Sequence, residues 1–147
     1  MALLKISDAT SLALHAMVLL ASEPQRVFTT HDIASTLQAS EAHLSKVLQR
    51  LHHDRLVKSV RGPKGGYILG KPAHDITLLH VYEIMEGRFD PEHCLLDKPL
   101  CDGTKCILGG LICHLNSSVL DYFKKTRLSR LTKVFNTEGV PAWHNET

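Results

Sequence analysis

The stretch that most limits how this chain can fold is "TTHDIASTLQASEAHLSKVLQRLHHDRLVKSVRGPKGGYIL", residues 29–69. It opens with a helical pattern in which Thr29 or Thr30 can cap the free amides while Ile33, Ala34 and Leu37 face inward. After "QAS", Ser40 is a natural cap for a further helix, and Leu44, Val47, Leu48 and Leu51 follow the i, i+3, i+4, i+7 rule. Two short helices joined by a tight polar turn, the second one basic, make a helix-turn-helix. Two β-prone runs follow, Leu56 to Val60 and Tyr67 to Leu69, flanking "RGPKGG". Glycine and proline there force a turn, and period-two alternation on either side predicts a hairpin. A helix-turn-helix followed at once by a basic hairpin is a winged helix.

Charge supports that reading. Net charge over the 147 residues is only +2. Between Ser40 and Pro72, however, seven basic residues (Lys46, Arg50, Arg55, Lys58, Arg61, Lys64, Lys71) face only Glu41 and Asp54. That excess is what a phosphate-binding surface needs, although a solvated charged face has the same composition. The basic helix would enter the major groove, and the hairpin would place Arg61 and Lys64 against the backbone or minor groove.

On either side of this unit the patterns are helical. A first helix over Ser7 to Ser22 has a broad apolar face of Leu12, Ala13, Ala16, Met17, Leu19 and Leu20. Its "SLALHAMVLLA" is too short to span a bilayer and lacks the flanks of a signal peptide, so a cytoplasmic protein with no membrane contact is expected. A helix capped by Thr77 and stopped by Gly87 follows the hairpin. Asp90 to Lys105 has no period and reads as a loop. From about Cys106 to Lys124 or Lys125 the pattern is helical again, with Leu108, Leu111, Ile112, Leu115, Val119 and Phe123 in one stripe. A second subunit is the simplest cover for such a stripe. "TRLSRLTKVF" reads as a short capped helix and the chain after Asn136 as a frayed tail. The expected fold is mainly α with a small β-hairpin wing, a winged helix-turn-helix carrying a long C-terminal dimerisation helix. It divides into 1–88 (DNA-binding domain), 89–105 (cysteine-rich loop), 106–136 (dimerisation helix and a short following helix) and 137–147 (tail).

All four cysteines, Cys94, Cys101, Cys106 and Cys113, fall within "HCLLDKPLCDGTKCILGGLICH". In a reducing compartment such a cluster suits metal binding or redox sensing better than structural disulfides. Thiolates serve zinc and iron–sulfur clusters alike, but the close C-x-x-C hooks of structural zinc sites are absent. Plain or redox-active cysteines remain a third alternative. A helix beginning at Cys106 would stabilise its thiolate through the free amides of the first turn. Cys113, about 10 Å further along that helix, reads first as a small residue packed at a helix–helix contact. An enzyme with Cys106 as nucleophile and His15 or His114 as base lacks any supporting motif, so neither catalysis nor a small-molecule substrate is expected.

"HLSKVLQRLHHDRLVKSVRGPKGGYILGKPAHDITLLHVYEIMEG" closely resembles the IscR/NsrR/CymR family of bacterial winged-helix transcription regulators, most specifically in the wing "L-V-x-S-V-R-G-x-x-G-G-Y-x-L". The resemblance runs from "LALHAMVLLA" to "RLSRL". It implies a homodimer binding palindromic double-stranded promoter DNA. It also implies an iron–sulfur cluster, [2Fe-2S] or [4Fe-4S], held by Cys94, Cys101 and Cys106, with nuclearity open because their spacing departs from that of the best-known members. Some members lack the cluster and act through a partner protein. The family's DNA-contacting positions fall on Ser40, His43, Ser45, Lys46, Arg61 and Lys64, with Gly65 and Gly66 allowing close backbone approach. For a non-cysteine ligand from the other subunit's first helix, the resemblance points to His15. The matching acid position is Ser11, and the nearest carboxylate is Asp8. The histidine that assembly-regulating members place three residues after the last cysteine is Gly109 here, and His93 and His114 flank the cysteines.

Overall fold

The computed structural model describes Leu4 and residues 6–135. The expected frayed tail lies outside the described residues. Helix α1 (Asp8–Ser22) starts because the Ser7 hydroxyl accepts the Thr10 amide. Helix α2 (Thr30–Leu37) has a reciprocal cap in which Thr29 and Asp32 satisfy each other's amides. Gln38, in the left-handed region at φ 52°, turns the chain into α3 (Glu41–His53), which Ser40 caps. Arg55, at φ 63°, turns it again into strand β1 (Val57–Val60). β1 pairs antiparallel with β2 (Gly66–Leu69), Val57 opposite Leu69 and Val60 opposite Gly66. Helix α4 (Leu78–Glu86) is capped by Thr77 and ends at Gly87, φ 89°.

These elements close around α1. Ala13, Ala16 and Met17 have no exposed surface, and α1 packs against α2, α3, α4 and β2. Leu44, Leu48 and Leu51 of α3, Ile33 of α2 and Val81 of α4 complete the core. The hairpin is joined to it by an isolated bridge. Phe28, 2% exposed, exchanges two backbone hydrogen bonds with Tyr67, at 3.0 and 2.8 Å. That approach explains Gly66, because a Cβ there would stand 2.2 Å from the Phe28 carbonyl oxygen. Gly65 is equally crowded, its Cβ position 2.3 Å from the Val60 carbonyl. Both glycines therefore have a reason inside the chain, independent of any approach to DNA.

Two expectations require correction. The last long helix, α5 (Leu111–Lys125), begins at Leu111 and not at Cys106. The apolar run "CILGGLIC" is interrupted by Gly109 at φ 54° and by Gly110, which offers no capping side chain. Cys106 instead belongs to a preceding turn closed by the Gly109 amide on its carbonyl, and is not in the first turn of α5. "TRLSRLTKVF" is likewise no capped α-helix: its regular part is one 3-10 turn, Leu128–Arg130, without a side-chain cap. Thr77–Arg127 bridging and the Leu128 amide's bond to the Ile76 carbonyl hold this segment extended before the turn. Among the described residues no helix is long and apolar enough to cross a membrane.

Substituting Gly66→Ala forces the wing off Phe28 or strains β2. The variant is expected to lose about 1–3 kcal/mol of stability, read by chemical denaturation. Wild-type stability in G66A would show that the hairpin is not held by this contact.

Candidate functional site

The helix-turn-helix presents one end of α3. The Ser40 hydroxyl is committed to the His43 amide as the cap, at 3.4 Å. His43 and Lys46 are exposed one turn apart, while Ser45 is half-buried. Arg61 and Lys64 stand exposed on the hairpin turn. The face is thus assembled from two elements fixed to the same core. An ion pair that sequence reading missed joins α2 to α3: His31 Nδ1 lies 2.6 Å from Glu41 Oε1. The Glu41 carboxylate, by hydrogen bond and then by charge, raises the His31 pKa above the ordinary imidazole value. Only tertiary packing brings these residues, ten apart, together.

A second site lies in the loop before α5. Cys94, Cys101 and Cys106 line one cavity of 230 Å³, together with Leu95, Leu96, Leu100, Lys105 and Ile107. Sequence reading named the cysteines but not this apolar lining. The Leu96 amide donates to Cys94 Sγ at 3.4 Å. Asp102, between two of the cysteines, is engaged locally. Its Oδ1 accepts both the amide and the hydroxyl of Thr104, and these bonds hold its carboxyl below the usual range. Among the described residues no three His, Cys, Asp or Glu side chains gather closely enough to share a single metal ion.

Cys113 stands apart. It does not line the cavity, and its Sγ lies 3.9 Å from His93 Nδ1. It is exposed, and helical geometry puts it about 180° around α5 from Leu111, Leu115 and Tyr122. Among the described residues of one chain it therefore faces away from the packed side of α5. The anticipated stripe is also divided. Ile112 and Phe123 are buried within the chain, whereas Leu111, Leu115 and Tyr122 are 51%, 41% and 57% exposed.

The structure collects Asp8, Ser11 and His15 in a different place. With Leu37, Ser40 and His43 they line a groove of 530 Å³ between α1 and the start of α3. This groove shares no residue with the cysteine cavity, so within one chain Asp8 and His15 do not meet the thiols. His15 Nδ1 is 2.7 Å from the Ser11 carbonyl, which can only accept. Nδ1 is therefore the donor in that bond, and in the neutral imidazole the lone pair is on Nε2. His114 packs beside Gly110 at the head of α5.

A basic helix-turn-helix braced by a wing defines the chain as a DNA-binding transcriptional regulator. Residues 6–134 match the profile of Rrf2, iron-dependent transcriptional regulators, and the chain belongs to this family. YwgB of Bacillus subtilis is 36% identical over 147 residues, covering 95% of this chain and 94% of YwgB. The HTH-type transcriptional regulator IscR of Pectobacterium carotovorum is 31% identical over 100 residues, 68% of this chain and 61% of IscR. Among solved structures, CymR (YrzC), the global cysteine regulator of B. subtilis, superposes with a TM-score of 0.77 at 28% identity, covering 90% of this chain and 99% of CymR. T. potens IscR shares the fold, with a TM-score of 0.69 at 22% identity over 96% of both chains.

The His31–Glu41 pair has a pH signature. A histidine whose folded pKa is raised contributes stability that is complete below its unfolded pKa and is lost as pH rises through the folded one. The melting temperature of wild type should exceed that of His31→Gln most below about pH 6.5, and the gap should close at higher pH. A gap independent of pH would show that the pair does not join α2 to α3 in solution.

Proposed function

We propose that this regulator is a homodimer whose affinity for palindromic promoter DNA follows the state of an iron–sulfur cluster held by Cys94, Cys101 and Cys106. The observation that carries the reading is the convergence of these three thiols, and not Cys113, on one apolar-lined cavity. Such a cluster supplies one-electron redox chemistry and sensitivity to oxygen or nitric oxide, as [2Fe-2S] or [4Fe-4S]. Leu96, Leu100 and Ile107 flank the thiols and are themselves 51%, 86% and 89% exposed. The Leu96 amide hydrogen-bonds one ligand sulfur.

A fourth ligand comes from α1 of a second subunit. His15 suits this role because its Nε2 lone pair is free while Nδ1 is anchored on the Ser11 carbonyl. Asp8, in the same groove, is the alternative. The exposed Leu111, Leu115 and Tyr122 of α5 supply the dimer contact, since an apolar stripe of this kind is unfavourable in water. On DNA, α3 enters the major groove with His43, Ser45 and Lys46, the Ser40 cap marking its entry. Arg61 and Lys64 of the wing take the backbone, where Gly65 and Gly66 keep the hairpin slim. Phosphate contacts by lysine and arginine set affinity and salt dependence but carry no sequence information.

A second reading keeps the DNA-binding dimer but makes the loop a thiol sensor, cluster-free or with a structural zinc. The superposition on CymR, a global cysteine regulator, favours it. Metal analysis separates the two. Protein purified without oxygen is expected to be brown, with iron and acid-labile sulfide in equal amounts. Cys113→Ser should retain both, and Cys94→Ser, Cys101→Ser and Cys106→Ser should each lose most of them. A colourless wild type, metal-free after reconstitution or holding only zinc, would overturn the cluster reading in favour of the second.

A further inference from the structure

The last turn of α4 joins three parts of the molecule. Its final carbonyls have no partner within the helix, and the helix carries no basic residue of its own in that turn. The missing cation comes from the recognition helix: Arg50 Nη2 donates to the Ile84 carbonyl at 2.7 Å. A guanidinium at a helix C-terminus satisfies an orphan carbonyl and opposes the negative end of the dipole. On the same turn, Glu83 Oε1 accepts the amide of Phe89, the third residue after α4, at 3.2 Å. The Phe89 ring packs on Tyr82, centroids 5.5 Å apart, and Tyr82 packs on Phe123 of α5 at 5.7 Å. Glu86 Oε1 accepts the Ser7 amide at 2.9 Å and the Thr10 hydroxyl, which docks the start of α1 beside Asp8.

The entry to the cysteine loop and the C-terminal half of α3 are thus hydrogen-bonded to successive residues, Glu83 and Ile84. We propose that Arg50 is a positioning residue: it transmits the state of the cysteine loop to the recognition helix by tying α3 to the last turn of α4. This inference rests on the reading that the loop is the sensor. A change that pulls Phe89 away from Glu83 and Tyr82 reorients the last turn of α4. The Ile84 carbonyl moves with it and carries Arg50 and the exposed face of α3. Between paired half-sites, a small rotation of each recognition helix alters register on DNA. Without the Arg50 bond, α3 would keep its core packing through Leu44, Leu48 and Leu51 but would no longer follow the loop.

Amide hydrogen exchange on the full chain, without DNA, tests this. A Cys113→Ser background is compared cluster-loaded, metal-stripped, and stripped then alkylated with N-ethylmaleimide, so that reagent reaches only Cys94, Cys101 and Cys106. In that background both perturbations should change exchange in residues 88–110 and, by about 5-fold or more, at the C-terminal end of Glu41–His53. Adding Arg50→Met should leave the loop response intact and abolish that of α3, while Arg50→Lys should restore part of it. Arg50→Gln replaces the methionine variant if that one melts early. An α3 response that persists without the guanidinium, or a loop response that never reaches α3 in the background protein, would overturn the proposal. Failure to take up iron would instead overturn the cluster reading, and the alkylated sample would still decide the role of Arg50. Because no DNA is present, a phosphate contact by Arg50 cannot produce the expected pattern.

Discussion

The burial of α1 is the constraint on which the rest of the structure depends. Ala13 and Ala16, without exposed surface, let neighbouring helices approach closely, and Met17, Leu19 and Leu20 fill the space between them. Each large side chain buried in this way contributes about 1.5–3 kcal/mol, so the helix is a stiff axle for the domain. Its one open flank carries Asp8, Ser11 and His15. Residues on that flank are free of the core packing while the core fixes where they stand.

Helix α3 and the hairpin are placed by the same axle. The helix α3 packs on α1 through Leu44, Leu48 and Leu51, and the hairpin is clamped to the core by the Phe28–Tyr67 bridge. Lys46, Arg61 and Lys64 are therefore presented on supports that share one core. The groove lined by Asp8 and His15 also reaches Ser40 and His43 at the start of α3. Asp8 and His15 on α1 and the start of α3 are thus parts of one surface. The last turn of α4, through Arg50, grips the other end.

Local chemistry made much of this legible from residues alone. Thr29, Ser40 and Thr77 cap the helices they precede, because a hydroxyl before an apolar period has few other uses there, whereas Ser7, read as the first residue of α1, is its cap. The hairpin followed from Gly62 to Gly66 with Pro63, although the crowding of Gly66 against Phe28 required the tertiary fold to be seen. The start of α5 was misread because Ile107 and Leu108 continue the apolar period through two glycines that break the backbone. The candidate thiols were visible as a group, and the resemblance singled out three of the four. Their common cavity, the separation of Cys113, the Asp8–His15 groove and the Arg50–Ile84 bond all join residues distant in sequence or turned by irregular backbone, and no local pattern encodes them.

The central claim is that the state of the cysteine loop sets affinity for DNA. Its most direct test is equilibrium binding to a duplex selected from a random-sequence pool by the anaerobically purified protein, measured cluster-loaded and stripped at one fixed salt concentration. The account predicts affinities that differ by about 5- to 150-fold, the usual range of allosteric coupling. Equal affinities for the two forms would contradict it, leaving a winged-helix regulator whose cysteines do not govern its grip on DNA.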